Sequence, residues 1–298
     1  MKVLITGGNG QVAKALQQTM PGEWQSVAPG HAELDITNAK SVEACIAVVR
    51  PDVVINCAAY TAVDLAEQNS EHCYAVNRDG AAIIAETTAE AGIPLVHIST
   101  DYVFDGCKKG SYTEDDLPAP LSVYGKSKLA GEQAVMAVNP RHIILRTSWV
   151  FAAEGNNFVS TMVRLGKASL AGDGKVLAIV ADQRGGPTPA TELARSIWTI
   201  VDRIANDEVH WGIYHYSGAP SVSWYEFAMQ IFRVATTLSV LPAMPLLRPI
   251  TSAEFGAKAA RPLNSCLDCS KMQRAFSLHT PDWPRELEDV LKARKNRL

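Results

Sequence analysis

Short apolar runs alternate along the first half of the chain with stretches whose apolar residues recur at helical spacing. Val3-Leu4-Ile5, Trp24 to Ala28, Asp52 to Asn56, Leu95 to Ser99 and His142 to Leu145 predict strands. Gln11 to Met20, Ala39 to Arg50, Asp79 to Ala91 and Ser122 to Val138 predict the helices between them. Val42, Ile46 and Val49 share one face of the second helix, and Pro51 breaks it. Such alternation of short strands with longer helices indicates βαβ units and a parallel sheet. Val53-Val54-Ile55 lacks polar alternation, as a strand covered on both faces should. Right-handed crossovers then build a doubly wound, Rossmann-like α/β sheet with its ligand crevice at the carboxyl ends of the strands.

Beyond residue 150 the alternation becomes irregular, and Trp, Pro and loop residues increase. The pattern predicts a dinucleotide-binding domain over 1–150 plus about 188–217, because a helix (Thr191 to Ile204) and an apolar run (Ile213 to Tyr216) return to the sheet. A smaller substrate-binding portion is expected over about 151–187 and 218–298. No repeat or flexible linker separates the two.

Composition narrows the partners. The net charge of −3 has no basic excess, so nucleic acid and anionic membranes are not expected. No apolar run approaches the roughly 18 residues of a membrane span, and the N-terminus lacks a signal-peptide pattern, so a cytoplasmic location is expected. The six cysteines are dispersed, which argues against a disulfide framework. Cys266 and Cys269 form a C-x-x-C without a second pair or spaced histidines, and are expected to be ordinary thiols. No cluster of His, Cys and carboxylates suggests a metal.

Gly7-Gly8-Asn9-Gly10-Gln11-Val12-Ala13 follows the first strand and opens the first helix. There the glycines permit a tight turn and close approach of the backbone to a pyrophosphate, whose charge sits at the helix N-terminus. Ala13 stands where a third glycine is usual and still lets helix pack near strand. The acid expected about twenty positions on, for a ribose, is ambiguous: Glu33 and Asp35 lie slightly beyond, and no arginine marks a 2′-phosphate site. NADH and NADPH both remain open.

Tyr124 and Lys128 stand four apart in Tyr124-Gly125-Lys126-Ser127-Lys128, on one face if the segment is helical. A phenol titrates near pH 10 and needs its anion stabilised to serve at neutral pH; a neighbouring ammonium supplies that. Tyr124 can then give a proton to a substrate oxygen as hydride reaches the carbon. Thr100, closing the fourth strand, offers a hydroxyl to the same oxygen. The spacing alone also fits an exposed helical pair; the glycine loop and the strand-end threonine make a carbonyl-reducing site the better reading.

The chain resembles the extended short-chain dehydrogenase/reductase family through Thr6-Gly7-Gly8-Asn9-Gly10, Ser99-Thr100-Asp101-Tyr102-Val103-Phe104 and Tyr124-Gly125-Lys126-Ser127-Lys128. A closer likeness, to the branch acting on 4-keto nucleotide sugars, is carried by further segments. These are Leu34-Asp35-Ile36-Thr37, Ala58 to Asp64, Arg146 to Phe151, Asn156-Asn157-Phe158, Asp182-Gln183 with Gly186-Pro187-Thr188, Gly212 to His215 and Arg261 to Ser265. They span nearly the whole chain in order. The resemblance implies NAD(P)H-dependent reduction of the 4-keto group of dTDP-4-dehydro-L-rhamnose to dTDP-L-rhamnose, a step in cell-surface polysaccharide and lipopolysaccharide synthesis. It implies Tyr124 as proton donor, Lys128 as the residue that orients the nicotinamide ribose and lowers the Tyr124 pKa, and Thr100 as the binder of the keto oxygen. Gly7, Gly10, Gln11 and Val12 would line the pyrophosphate, Asp35 and Ile36 the adenine end, and Ala59, Tyr60 and Thr61 the cofactor's flank. Asp101 and Trp149 would contact the sugar, an indole face suiting its C–H surface.

Cys57 stands where alanine is usual and is expected to be a buried small side chain. Asp105 is ordinary in this family and need not be catalytic. The substrate diphosphate needs cations or backbone donors; Arg261 is the first candidate, with Arg164 and Arg184 behind it. A homodimer is a family-level expectation. The fold also admits a silent cofactor-binding regulatory subunit, like that of methionine adenosyltransferase, or an epimerase or dehydratase.

Overall fold

The computed structural model describes residues 1–172 and 175–296. Positions 173, 174, 297 and 298, all within the expected substrate-binding portion, lie outside the described residues. Six strands form one parallel sheet: β1 (Lys2–Thr6), β2 (Gln25–Val27), β3 (Val53–Asn56), β4 (Leu95–Thr100), β5 (His142–Thr147) and β6 (Gly212–His215). Their spatial order is β6-β5-β4-β3-β1-β2, with every pairing parallel. The order reverses between β1 and β3, and a crevice opens at the carboxyl ends at such a switch point.

Strand side chains alternate between faces, and the two faces meet different helices. Val3, Ile5, Val53, Ile55, Val96, Ile143 and Leu145 pack with α1 (Gln11–Thr19) and α6 (Ala190–Ala205). Leu4, Val54, Leu95 and Ile144 pack with α2 (Ala39–Val49), α3 (Gly80–Glu90) and Val135 of α4 (Val123–Val138). This double cover is why the strands read as unbroken apolar runs. α2 starts on an Asn38 cap and ends at Arg50, left-handed at φ 49°, before Pro51.

A second core lies beyond the sheet. Phe151, Val159, Met162, Phe227, Phe232, Trp283 and Leu287 join α5 (Phe158–Ala171), α7 (Trp224–Thr237) and α8 (Trp283–Lys295). Met272 and Phe276, inside the range expected for the substrate portion, pack instead into the sheet's core. The segment before α3 is helical from Ser70, with a π-helical stretch over Ala75–Asp79 that the apolar pattern does not signal.

Candidate active site

The glycine loop joins β1 to α1. A Cβ on Gly8 would lie 2.0 Å from the Ala28 carbonyl oxygen, so only glycine lets the loop lie against the exit of β2. No side chain caps α1 at Gly10, which leaves its N-terminus to an anion. Two hollows flank this end. One, of about 410 Å³, is lined by Gly10, Gln11, Val12, Ala59, Thr61, Thr100, Asp101, Tyr124, Lys128 and Trp149. The other, of about 230 Å³, is lined by Gly7, Asp35, Ile36, Ala59, Tyr60 and two histidines, His31 and His72. An uncapped helix start with hollows on either side fits a dinucleotide's pyrophosphate, nicotinamide and adenine ends.

Asn77, in the π-helical stretch, fixes this wall. Its Oδ1 accepts from the Tyr60 N–H at 2.8 Å, while its Nδ2 donates to the Tyr60 carbonyl at 3.0 Å and to Ser127 Oγ at 2.9 Å. The predicted cofactor flank is thereby tied to the helix that carries Tyr124. Gln11 Oε1 accepts from Asn157 Nδ2 at 2.9 Å, and Asn157 caps α5, which links the glycine loop to the second core.

Ser122 caps α4 by accepting from the Gly125 N–H, setting Tyr124 and Lys128 in its first turns. A Cβ at Gly125 would sit 2.2 Å from the Tyr102 carbonyl oxygen, so glycine lets α4 dock against the turn after β4. That docking sets the Tyr124 phenol on the same crevice wall as Thr100. Thr100 Oγ1 itself donates to Asp101 Oδ1 at 3.0 Å. Burial raises Asp101 to about 6, and its Oδ2 has no hydrogen-bond partner.

In the chain alone, burial dominates the Tyr124 phenol. It pushes the phenol above its ordinary value, Thr100 opposes this, and Lys128 is not one of the largest influences on it. Lys128 Nζ donates to the Ile98 carbonyl at 2.7 Å. Burial brings Lys128 down to about 8. Beneath it Glu132 forms a buried pair with Arg146 (2.9 and 2.6 Å) and accepts from Ser99 Oγ.

The expected arginines do not line the crevice. Arg261 is spent on Asp64, donating at 3.2 and 2.7 Å behind Tyr102. Arg184 donates to Ser221 and Glu226, and Arg164 is exposed on α5. The sequence reading missed Trp224, which lines the crevice and stacks on Trp149 with centroids 3.4 Å apart and planes within 5°. Ser223 and Glu226 form a capping box that places Trp224 at the first position of α7. That Ser-x-x-Glu signature was legible in the sequence. Cys57 also lines the crevice, and burial lifts its thiol to about 12, which makes it no nucleophile. Cys266 and Cys269 are buried free thiols.

The family model for the RmlD substrate binding domain matches residues 1–296. The chain belongs to this family. A dTDP-4-dehydrorhamnose reductase of Aggregatibacter actinomycetemcomitans is 44% identical over 292 residues, 97% of this chain and 98% of that protein. Among solved structures, a dTDP-4-dehydrorhamnose reductase of Clostridium acetobutylicum matches with a TM-score of 0.89 at 37% identity, covering 98% of this chain and 99% of that one. The enzyme of the same name from Bacillus anthracis, solved in complex with NADP, matches at 0.88 and 38% identity, covering 98% of each chain. The RmlD assignment agrees with the resemblance carried by the glycine loop and the Tyr124 segment. Among the described residues of this RmlD family member, no three His, Cys, Asp or Glu side chains gather to hold a metal, and no helix is long and apolar enough to cross a membrane.

Proposed function

We propose that this chain reduces the 4-keto group of dTDP-4-dehydro-L-rhamnose to a hydroxyl, giving dTDP-L-rhamnose at the expense of NADPH or NADH. The observation that carries the reading is that Thr100, Tyr124 and Lys128 line one crevice, which begins at an uncapped helix N-terminus. The bound nicotinamide supplies the hydride. Thr100 holds the keto oxygen, and the Tyr124 phenol gives it the proton that balances the added charge. Lys128 orients the cofactor ribose, while Gly7, Gly10, Gln11, Val12, Asp35, Ile36, Ala59, Tyr60 and Thr61 hold the dinucleotide. Asp101 and Trp149 face the sugar, and Trp224 extends that aromatic wall. Arg261 is left out, because Asp64 already neutralises it. We place the reaction in the cytoplasm, in the supply of activated sugar for lipopolysaccharide and other surface polysaccharides, with a homodimer as the working form.

The test is loss of nicotinamide absorbance when the dTDP-keto sugar is added, run separately with NADPH and NADH. A Tyr124→Phe variant is expected to bind cofactor normally and to lose at least about a hundredfold in kcat. Turnover near the wild-type rate in that variant would remove Tyr124 from the role of acid. Turnover without net loss of reduced cofactor would point to an epimerase instead.

A further inference from the structure

A buried polar chain runs beneath the crevice, and hydrogen-bond valence fixes its direction. Asn56, 1% exposed at the end of β3, has an oxygen that accepts from the Ala58 N–H at 3.1 Å and from Thr6 Oγ1 at 2.6 Å. A backbone N–H only donates, so the atom facing it is the amide oxygen. The Asn56 nitrogen then faces His97 Nδ1 at 3.0 Å. An amide nitrogen only donates, so Nδ1 must accept, and the single proton of the neutral ring sits on Nε2. Burial and Lys128 both hold His97 well below its ordinary pKa, which keeps the ring neutral. That Nε2 lies 3.4 Å from Lys128 Nζ. An ammonium has no lone pair for an N–H, whereas a neutral amine has one.

We propose that His97 is a positioning residue for Lys128: Asn56 fixes it with the proton on Nε2, and that N–H, aimed at the lysine nitrogen, loosens the lysine's hold on its third proton. The proposal rests on the role given to Lys128 above. The other groups around the nitrogen act differently. Glu132, one turn along α4, favours the ammonium through space but is bonded to Arg146 and Ser99. Cys57 after β3 and Cys73 on the Ser70–Tyr74 helix face it as thiols. His97 is thus the neighbour whose fixed polarity selects between amine and ammonium. The amine still donates to the Ile98 carbonyl, so the nitrogen stays in place in both forms.

Asn56→Asp tests this. A carboxylate keeps an acceptor for Ala58 and Thr6 but accepts from His97, moving the ring proton to Nδ1 and turning Nε2 into an acceptor for the ammonium. Three readouts apply: ¹⁵N shifts of labelled histidine for the tautomer, ¹³C shifts of labelled lysine for the Lys128 titration, and the alkaline limb of kcat. Wild type should show the proton on Nε2. The variant should show it on Nδ1, with the lysine titration and the alkaline limb both moved up by at least about one unit. The same substitution made together with His97→Phe should move them much less, which separates the tautomer from the added charge. A wild-type proton on Nδ1, an unmoved titration, or an equal shift without His97 would overturn the proposal. If Asn56→Asp does not fold, the wild-type tautomer decides alone. Full turnover by Lys128→Met would overturn the parent role of Lys128, whatever the tautomer.

Discussion

Replacing Lys128 with methionine should stabilise the protein while destroying its activity. Lys128 is 2% exposed, and burial holds it at about 8 against an ordinary 10.5. Below pH 8 both folded and unfolded chains carry the proton, and the folded chain bears the full cost of the buried charge. Between 8 and 10.5 the unfolded chain binds more protons, so stability rises with pH. Above 10.5 neither state is charged and the cost is gone. The difference of about 2.5 units corresponds to about 3 kcal/mol at pH 7. Methionine has similar length and no charge, but it gives up the bond to the Ile98 carbonyl, worth about 1 kcal/mol. The net gain is about 2 kcal/mol. At roughly 2.1 cal/mol/K per residue, a 298-residue chain has an unfolding entropy of about 0.6 kcal/mol/K, so Tm should rise by about 3 °C at pH 7.

The assay is thermal unfolding by circular dichroism from pH 6.5 to 10.5, wild type beside variant, without cofactor. The gain should be constant up to about pH 8, then shrink, and vanish or reverse by pH 10.5. A variant no more stable than wild type at pH 7, or one whose advantage is independent of pH, would refute the reasoning. The pH dependence is the stronger half of the test, because packing differences between lysine and methionine do not titrate.

Further substitutions probe the same frame. Glu132→Gln leaves Arg146 charged and 1% exposed, which should cost about 3–5 kcal/mol and lower Tm by about 5–8 °C in a melting curve, while Glu132→Leu with Arg146→Met should recover most of it. Trp224→Ala removes the partner of Trp149 and should raise KM for the sugar nucleotide by roughly 5- to 30-fold, with the cofactor Kd from fluorescence titration unchanged. Gly8→Ala puts a methyl 2.0 Å from the Ala28 carbonyl, so the loop must shift, and calorimetry should show cofactor binding at least about tenfold weaker.

The sheet was legible because its strands are covered on both faces, and uninterrupted runs such as Val53-Val54-Ile55, bounded by breakers like Pro51, are what such cover produces. The irregular half was harder. α7 carries both a Ser223/Glu226 capping box and an apolar face of Phe227, Ile231, Phe232 and Ala235, but the π-helical stretch over Ala75–Asp79 has no periodic signature, yet its Asn77 holds the Tyr60 wall. Residue type singled out Thr100, Tyr124 and Lys128, which the fold gathers on one crevice, each at a strand end or in the first turns of the next helix. It could not show that Arg261 is paired with Asp64, because the two are 197 positions apart and only the fold joins them. The pairing of Trp149 with Trp224 was hidden for the same reason. The direction of the Tyr124 shift was hidden as well: spacing placed the lysine on the right face but said nothing of where its nitrogen points.

What the fold leaves unbalanced shows where it works. Among the described residues, five side chains have buried polar atoms without a partner, and four of them, Asp101, Arg146, Thr147 and His215, belong to β5, β6 or the turn just after β4. Trp149, just past β5, is held at φ 47°, a left-handed conformation that bulky residues seldom adopt. Lys128 is buried beside them against a histidine N–H. A core selected for stability alone would relieve these costs, as the Lys128→Met calculation illustrates. They persist together at one end of three neighbouring strands, where the well-packed remainder of the sheet offsets them. In the proposed reduction the unpaired Asp101 carboxylate oxygen and the Trp149 indole, on its left-handed backbone, would face the sugar, and Lys128 would hold the cofactor ribose in the same crevice.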